Sequence, residues 1–195
     1  MRSTQRAALI LGVLGTVAAA GLTASALQQA PVNAYGAAVK AYRDRCDAYL
    51  ALHKKAADTV PPLKETSDPA KLTAREQALG EAIRQLRPEA KPGDLFGSDL
   101  SPYIRQAVQK DWKKRSAADR KAITEEVPPG AVADVNATYP PALPLATFPA
   151  NLLATLPPLA EGLEYRFVGR HLILRDVKAN IIVDVLPNVL PGART

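Results

Sequence analysis

Apolar residues in the first half of the chain recur at steps of three and four positions, a spacing that is typical of helices with one buried face. Between residues 33 and 58 these positions are Tyr35, Val39, Tyr42, Cys46, Tyr49, Leu50 and His53. The stripe predicts one long amphipathic helix. It should end before Pro61, because a proline ring prevents the helix from continuing.

A second helix is predicted from its first residues. Asp68 followed by Pro69 is typical of an N-cap with proline in the first helical position. The apolar stripe that follows predicts a helix as far as Pro88, and its members are Leu72, Leu79, Ile83 and Leu86. These four residues should face the core.

Ser101 followed by Pro102 repeats this start pattern and predicts a third helix that ends near residue 115. Its inner face should carry Ile104, Val108 and Trp112. Ser116 is the predicted cap of a short fourth helix, which stops before the next proline. Residues 27–127 are therefore predicted to form a helical part of the chain.

Residues 128–158 contain eight prolines, too many missing N–H donors for an interior strand or a long helix. A disordered linker is one interpretation of such a composition. The segment also contains Tyr139, Phe148, Leu152 and other apolar residues. That apolar content favours the other interpretation, an extended segment packed along the helices.

Residues 159–195 hold most of the β pattern of the chain, in the stretch LEYRFVGRHLILRDVKANIIVDV. A two-residue turn at Gly169 and Arg170 predicts a hairpin in which Tyr165 pairs with Leu174 and Glu164 with Arg175. A four-residue loop at residues 177–180 then predicts a third strand. In that register Leu174 pairs with Val183, and Leu172 with Val185.

This register predicts a three-stranded antiparallel meander with two different faces. The apolar face would carry Tyr165, Phe167, Leu172, Leu174, Val183 and Val185, and the outer face Glu164, Arg166, His171, Arg175 and Asp184 beside Ile173 and Ile182. An apolar sheet face must be covered, and the helices are available to cover it. The predicted fold class is therefore α+β, with residues 27–195 as a single domain.

The chain begins with Arg2 and Arg6, an uncharged apolar run over residues 7–21, and then small residues. This order is typical of a secretory signal peptide, with cleavage after Ala26. An uncleaved anchor is the alternative, although the run is shorter than the ~20 apolar residues of a spanning helix. The sequence predicts a periplasmic or secreted protein whose contact with the membrane is through residues 1–26 only.

Charge and cysteine content narrow the partners and the chemistry. The formal net charge of +6 would fall to +4 on removal of residues 1–26, which is too mild to indicate nucleic acid. Cys46 is the single cysteine, so a disulfide within the chain is excluded. Its thiol is expected to be buried, to link two chains, or to be reactive, and burial is the most frequent of these states.

Two segments resemble a known family. The sequence PGDLF at residues 92–96 and the ending LPPLAEGLEYRFVGRHLILRDVKANIIVDVLP at residues 156–187 are similar to a family of exported bacterial proteins of unknown function, found in Acidobacteria and their relatives. The resemblance covers most of residues 27–195. It implies export and a shared fold, and it implies no catalytic residue, cofactor or ligand.

The residue types of common catalytic and metal sites are scarce. Cys46 and His53 lie seven positions apart on one helix, about 10 Å along its axis, which is too far for a nucleophile and its base. His53 is expected to complement the C-terminal helix dipole. The sequence GDLFGSD lacks the order of a calcium loop and predicts a turn. No metal site and no cofactor are predicted.

Two basic groups remain as candidate binding sites. The run KDWKKR at residues 110–115 places a tryptophan among four basic residues, although Trp112 should point inward and leave a solvated basic face. On the outer face of the meander the candidates are Arg166, His171, Arg175 and Asp184, with Glu164 beside Arg175, and with Arg166 and Asp184 on either side of Ile173. Such pairing is typical of a solvated sheet face. It should also hold the carboxyl pKa values low, which does not suit a general acid.

The sequence therefore leaves two functional hypotheses. The first is a non-catalytic interaction module associated with the cell envelope, whose partner would be an envelope protein or an anionic cell-wall component. The second is a small periplasmic hydrolase with a site near His171. A hydrolase requires a pocket where His171 meets a nucleophile or paired carboxylates, whereas an interaction module requires an exposed charged or apolar patch.

Overall fold

Five helices and one antiparallel sheet are present in the computed structural model, which describes residues 33–125, 133–139 and 148–191. The elements are α1 (Ala34–Thr59), α2 (Pro69–Leu86), α3 (Gly97–Lys114), α4 (Ala117–Glu125), α5 (Ala150–Leu153), β1 (Leu163–Val168), β2 (His171–Asp176) and β3 (Ile181–Leu186). This order confirms the predicted α+β fold class with a C-terminal meander. The predicted signal peptide lies outside the described residues.

Local capping explains where three of the helices begin. The Asn33 side chain accepts the N–H of Gly36 at 3.1 Å, and Asp68 accepts the N–H of Ala70 at 3.0 Å. Ser116 accepts the N–H of Asp119 at 3.1 Å at the start of α4. These three predicted starts are confirmed, because a cap and the N–H groups that it satisfies are neighbours in sequence.

The predicted start of α3 at Ser101 is wrong. The helix begins at Gly97, so Pro102 lies inside it, and the Ser101 hydroxyl donates to the Gly97 carbonyl instead of capping. The turn that precedes the helix is closed by the Gly97 N–H, which donates to the Gly93 carbonyl at 2.8 Å. The chain has therefore already turned before the residue that resembles a cap.

The first hairpin has the predicted register. Tyr165 pairs with Leu174 and Glu164 pairs with Arg175. Gly169 occupies the turn with a φ of 56°, a left-handed conformation that glycine adopts without steric cost. Turn and register agree here because both are determined by a few neighbouring residues.

The predicted register of the second hairpin is wrong beyond its first two pairs. A β-bulge adds one residue to β3 between its pairs with Arg175 and Leu174, so that Leu174 pairs with Asp184 and not with Val183. One added residue reverses the faces of all that follow. Asp184 thus lies on the helix side of the sheet, and Val185 pairs with Ile173 on the outer side.

The helices cover the inner face of the sheet, as predicted. Phe96, Tyr42 and Tyr165 lie at the centre of this core, with the Phe96 ring stacked between the two tyrosine rings at centroid distances of 6.2 and 6.3 Å. The predicted stripe of α2 is buried only in its middle. Leu79 and Ile83 are buried, whereas Leu72 and Leu86 are exposed.

The outer face of the sheet is also covered, which the sequence did not predict. A second cluster of buried residues lies there, formed by Tyr139, Val168, Ile173, Ile182 and Val185. Residues 133–139 form its cover, and their backbone pairs with the free edge of β3, where the Asn136 N–H donates to the Ile182 carbonyl and the Ile182 N–H donates to the Ala137 carbonyl. The described parts of the proline-rich segment are therefore packed. Residues 133–139 lie on the sheet and also contact α2, because Arg84 donates to the Asn136 carbonyl at 2.8 Å and to the Thr138 hydroxyl at 2.9 Å.

No helix in the described part of the chain is both long enough and apolar enough to cross a bilayer.

Candidate functional site

A groove of about 710 Å³ opens between the start of α1, one face of α3, the start of α4, and α5. Its lining includes Tyr35, Tyr103, Gln106, Lys110, Lys114 and Asn151, and it is called the α3 groove below. The volume falls within the range of about 300–1,000 Å³ that is usual for small-molecule sites.

Spacing along α3 produces the longest wall of the groove. The lining residues of this helix are Tyr103, Gln106, Ala107, Lys110, Asp111 and Lys114, which follow one another at three- and four-residue steps and share one face. The neighbouring face carries Leu100, Ile104 and Val108 into the core. Core packing of one face therefore fixes the direction in which the lysines point.

An aromatic pair forms one end of the groove. The rings of Tyr35 and Tyr103 meet edge to face, with centroids 5.2 Å apart and planes at 61°. Tyr35 is 39% exposed, so its predicted place in the buried stripe of α1 is wrong. A tyrosine pair of this kind offers an apolar surface together with hydroxyl groups that remain wet.

The acidic and the basic side chains of the groove differ in whether they already have a partner. Arg115 donates to Asp111 at 2.6 Å, and Asp119 accepts from the Ser116 hydroxyl at 2.7 Å. Within the described residues, neither Lys110 nor Lys114 lies within ion-pair distance of a carboxylate. The two carboxylates of the groove thus have local partners, while its two ammonium groups are available to a ligand.

The basic run at residues 110–115 contributes to this groove only in part. Lys110 and Lys114 line it, whereas Lys113 is exposed outside it. Trp112 is half-buried against the core, and the Arg120 guanidinium lies 5.9 Å from the centre of its ring. The inward direction predicted for Trp112 is therefore confirmed, with part of its ring covered by arginine and not by the core.

The outer face of the meander holds a compact ion network. Glu164 accepts from Arg166 at 2.8 Å and from Arg175 at 2.6 Å. The Arg175 guanidinium also lies 4.7 Å from the centre of the Tyr139 ring. Burial raises the pKa of Glu164, but the hydrogen bonds from the two arginines outweigh it and leave this pKa below its usual value, as the sequence predicted.

The four candidate residues of the meander are not all in one exposed place. Arg166 belongs to the network with Glu164, and Arg175 is buried beneath Tyr139. His171 begins β2, and its Nδ1 accepts the N–H of Asn188 at 3.3 Å. Asp184 is fully buried on the opposite side of the sheet. Arg166 and His171 therefore lie on the outer face of the sheet, whereas Asp184 does not. The hydrolase hypothesis for His171 stays a prediction.

Asp184 binds the loop before α3. Its Oδ1 accepts the N–H groups of Gly93 at 2.6 Å and Val185 at 2.7 Å, and its Oδ2 accepts those of Leu95 at 2.8 Å and Phe96 at 2.7 Å. Burial raises the pKa of this carboxyl above its usual value, against the four N–H donors, which favour the charged form. The expectation of a low pKa for Asp184 is therefore wrong.

The same loop is held from its other side by Arg45. Its Nε donates to the Leu95 carbonyl at 2.7 Å, and a terminal nitrogen donates to Phe96 at 3.2 Å and to Asp99 at 2.9 Å. The prediction of a turn at GDLFGSD is thus confirmed. Its two acids, Asp94 and Asp99, serve structural roles. An acid in the apolar strand sequence IIVDV was the one feature that could have indicated a buried anchor.

His53 has a partner that the sequence did not indicate. Its Nδ1 lies 2.6 Å from Oδ2 of Asp176, and that oxygen also accepts the Tyr49 hydroxyl at 2.7 Å. Burial raises the pKa of Asp176, but the hydrogen bonds from His53 and Tyr49 outweigh it and leave this pKa below its usual value. The role predicted for His53, interaction with the helix dipole, is therefore replaced by a contact between α1 and the end of β2.

This contact predicts a dependence of stability on pH. Because the pKa of Asp176 is lower in the folded chain than the ~3.9 of an unfolded aspartate, its contribution is complete above about pH 4 and is lost as the pH falls through the folded pKa. We expect Asp176→Asn to be less stable than the parent at pH 7 and to lose less stability between about pH 5 and pH 2.

Urea unfolding at a series of pH values measures this difference. The matched control is Asp58→Asn, which removes an exposed carboxylate near the end of the same helix. Equal pH slopes for the parent and Asp176→Asn would contradict the assignment.

Cys46 is buried in α1, so the first of its three expected states is confirmed. Burial raises the pKa of its thiol to about 11, which keeps the thiol protonated at neutral pH. Among the described residues, no group of three or more histidine, cysteine or acidic side chains is arranged as a metal site.

In the described part of the chain, the fold is α+β and the α3 groove is an aromatic and basic cleft. Comparison of the chain with models of protein families, with curated proteins and with solved structures gave no match in any of the three.

Proposed function

We propose that the protein is an exported, non-catalytic interaction module that binds an anionic component of the cell envelope in the α3 groove. The observation that carries this proposal is the pair Lys110 and Lys114, which face a concave site while the groove's own carboxylates are engaged by Arg115 and Ser116. Export is supported by the N-terminal pattern of residues 1–26.

Electrostatics favours an anion in this place over the open surface. The two lysines lie one helical turn apart, so both ammonium groups can reach the same anionic group. Both lysines are exposed, so each ion pair with a ligand would contribute about 0.2–1 kcal/mol. A groove excludes part of the solvent that would screen the same lysines on a flat surface.

The family resemblance is part of the same proposal. We propose that the chain belongs to the exported bacterial family whose segments residues 92–96 and 156–187 resemble. It is supported by the contact between these segments, because Asp184 of the second accepts three N–H groups of the first. Residues that meet in one buried anchor have a structural reason to occur together.

The proposed function is tested by a pair of adjacent charge reversals. Lys114→Glu places a negative charge in the groove, whereas Lys113→Glu makes the same change outside it and in the same last turn of α3. We expect Lys114→Glu to reduce co-sedimentation of the full chain with purified anionic cell-wall polymer about tenfold, a loss of about 1.4 kcal/mol. Lys113→Glu should change it less than about twofold.

Equal losses for the two variants would reject the groove as the binding site, and no binding of the parent chain would reject the function. Export is tested separately by expressing the full chain in a bacterium and sequencing the N-terminus of the protein recovered from the cell envelope, which should begin at Leu27.

A further inference from the structure

We propose that the ligand of the α3 groove is an acidic saccharide, whose ring packs on the Tyr35 and Tyr103 pair and whose carboxylate meets Lys110 and Lys114. This inference rests on the proposed function and names the ligand class of the same site. Three features of the groove point to sugar acids: its aromatic end, its neutral polar wall, and its low excess of positive charge.

The aromatic end is suited to a sugar ring. A pyranose ring presents C–H groups on its faces, and the face of a tyrosine ring is the negative side of its quadrupole. Tyr35 and Tyr103 meet at 61°, so the pair offers a corner and not a single flat plate. Tyr35 is exposed, and its ring can be covered by a ligand with a gain from buried apolar surface.

The neutral polar wall is suited to hydroxyl groups. Gln106 of α3, Asn151 of α5, and Thr155 line the groove and are exposed. Amide side chains offer donors and an acceptor, and the Thr155 hydroxyl, which donates to the Leu152 carbonyl at 2.8 Å, can still accept. A ligand whose hydroxyl groups both donate and accept can bond to Gln106 and Asn151, whereas a lipid chain offers these amides no hydrogen bond.

The charge of the groove selects a sparsely charged ligand. Lys110, Lys114 and Arg115 stand against Asp111 and Asp119, so the excess of positive charge is small. A polymer with one charge on every phosphate would bring further anions against the two carboxylates, and like charges at close range cost free energy. A saccharide with one carboxylate per ring matches the two available lysines without that repulsion.

The test compares three probes by isothermal titration calorimetry with the full chain: trigalacturonate, the neutral trisaccharide maltotriose, and short-chain polyphosphate. We expect trigalacturonate to bind about tenfold more tightly than either of the others. Tyr35→Ala should weaken this binding about tenfold, and Tyr35→Phe less than about twofold, because the second variant keeps the ring. Circular dichroism of each variant checks the fold, since Tyr35 lies in the first turn of α1.

The remaining outcomes separate the two proposals. If polyphosphate binds more tightly than trigalacturonate and Tyr35→Ala leaves its affinity unchanged, the saccharide is rejected while an anion site at Lys114 stands. If maltotriose binds as tightly as trigalacturonate, the acidic group is rejected as the recognised feature. If no probe binds, the saccharide is rejected, and the cell-wall co-sedimentation of Lys113→Glu and Lys114→Glu decides the proposed function separately.

Discussion

Asp184→Asn is expected to lower the free energy of unfolding by about 2–6 kcal/mol. The amide that replaces one carboxylate oxygen is itself a donor and would face two of the four backbone N–H groups that Asp184 now accepts. Each buried N–H group left without an acceptor costs about 1–3 kcal/mol. Because a domain of this kind is stable by about 5–15 kcal/mol, the variant would lose a large part of its stability.

Urea unfolding measures this effect, read as a lower midpoint with an unchanged slope. The control is Asp94→Asn in the same loop, where the Asp94 carboxylate accepts a single N–H group, that of Lys91, at 2.9 Å. This variant should lose less than about 1 kcal/mol. A similar loss in both variants would show that the loop tolerates no change at all, and a small loss in both would contradict the buried anchor.

Phe96→Ala should be about as damaging, with an expected loss of about 3–5 kcal/mol. The Phe96 side chain is 0% exposed, and its ring lies between Tyr42 and Tyr165. Truncation removes that buried ring and leaves a cavity that two tyrosines anchored by other contacts cannot fill. Tyr165, for example, donates to the Pro157 carbonyl at 3.1 Å and would have to break this bond to move.

The measurement for Phe96→Ala is the midpoint of thermal unfolding, which should fall by about 10 °C. Leu63→Ala is the matched truncation, because Leu63 is 42% exposed in the loop between α1 and α2. It should move the midpoint by less than about 2 °C. A midpoint for Phe96→Ala that stays with the control would show that the loop before α3 is not docked in the core in solution.

The α3 groove could be predicted from the sequence only along its longest wall. The spacing of Tyr103, Gln106, Lys110 and Lys114 predicts that they share one face of a helix. The opposite wall could not be predicted, because Asn151 lies in a four-residue helix within a segment whose prolines do not predict a helix. Tyr35 fits the buried stripe of α1 by spacing and is exposed only because of what α1 packs against.

On the outer face of the meander, the sequence predicted the strand pairing but not the segment that covers it. Its polar residues were correctly paired within the first hairpin, where Glu164 meets Arg175. The same pattern suggested a solvated surface, yet residues 133–139 cover its apolar part and place Tyr139 over Arg175. A cover from a distant, proline-rich segment leaves no periodic pattern in the strands that it covers.

The sequence by itself determined the features that depend on neighbouring residues: the starts of α1, α2 and α4 at their caps, the tight turn at Gly169, and the register of the first hairpin. Tertiary structure decided the start of α3, the bulge in β3, the burial of Asp184 and the pairing of His53 with Asp176. The physical reason is separation along the chain. The His53 contact joins residues 123 positions apart, and the Asp184 contacts with the loop join residues 88 to 91 positions apart. Local preference cannot encode a hydrogen-bond partner that only the folded chain brings near.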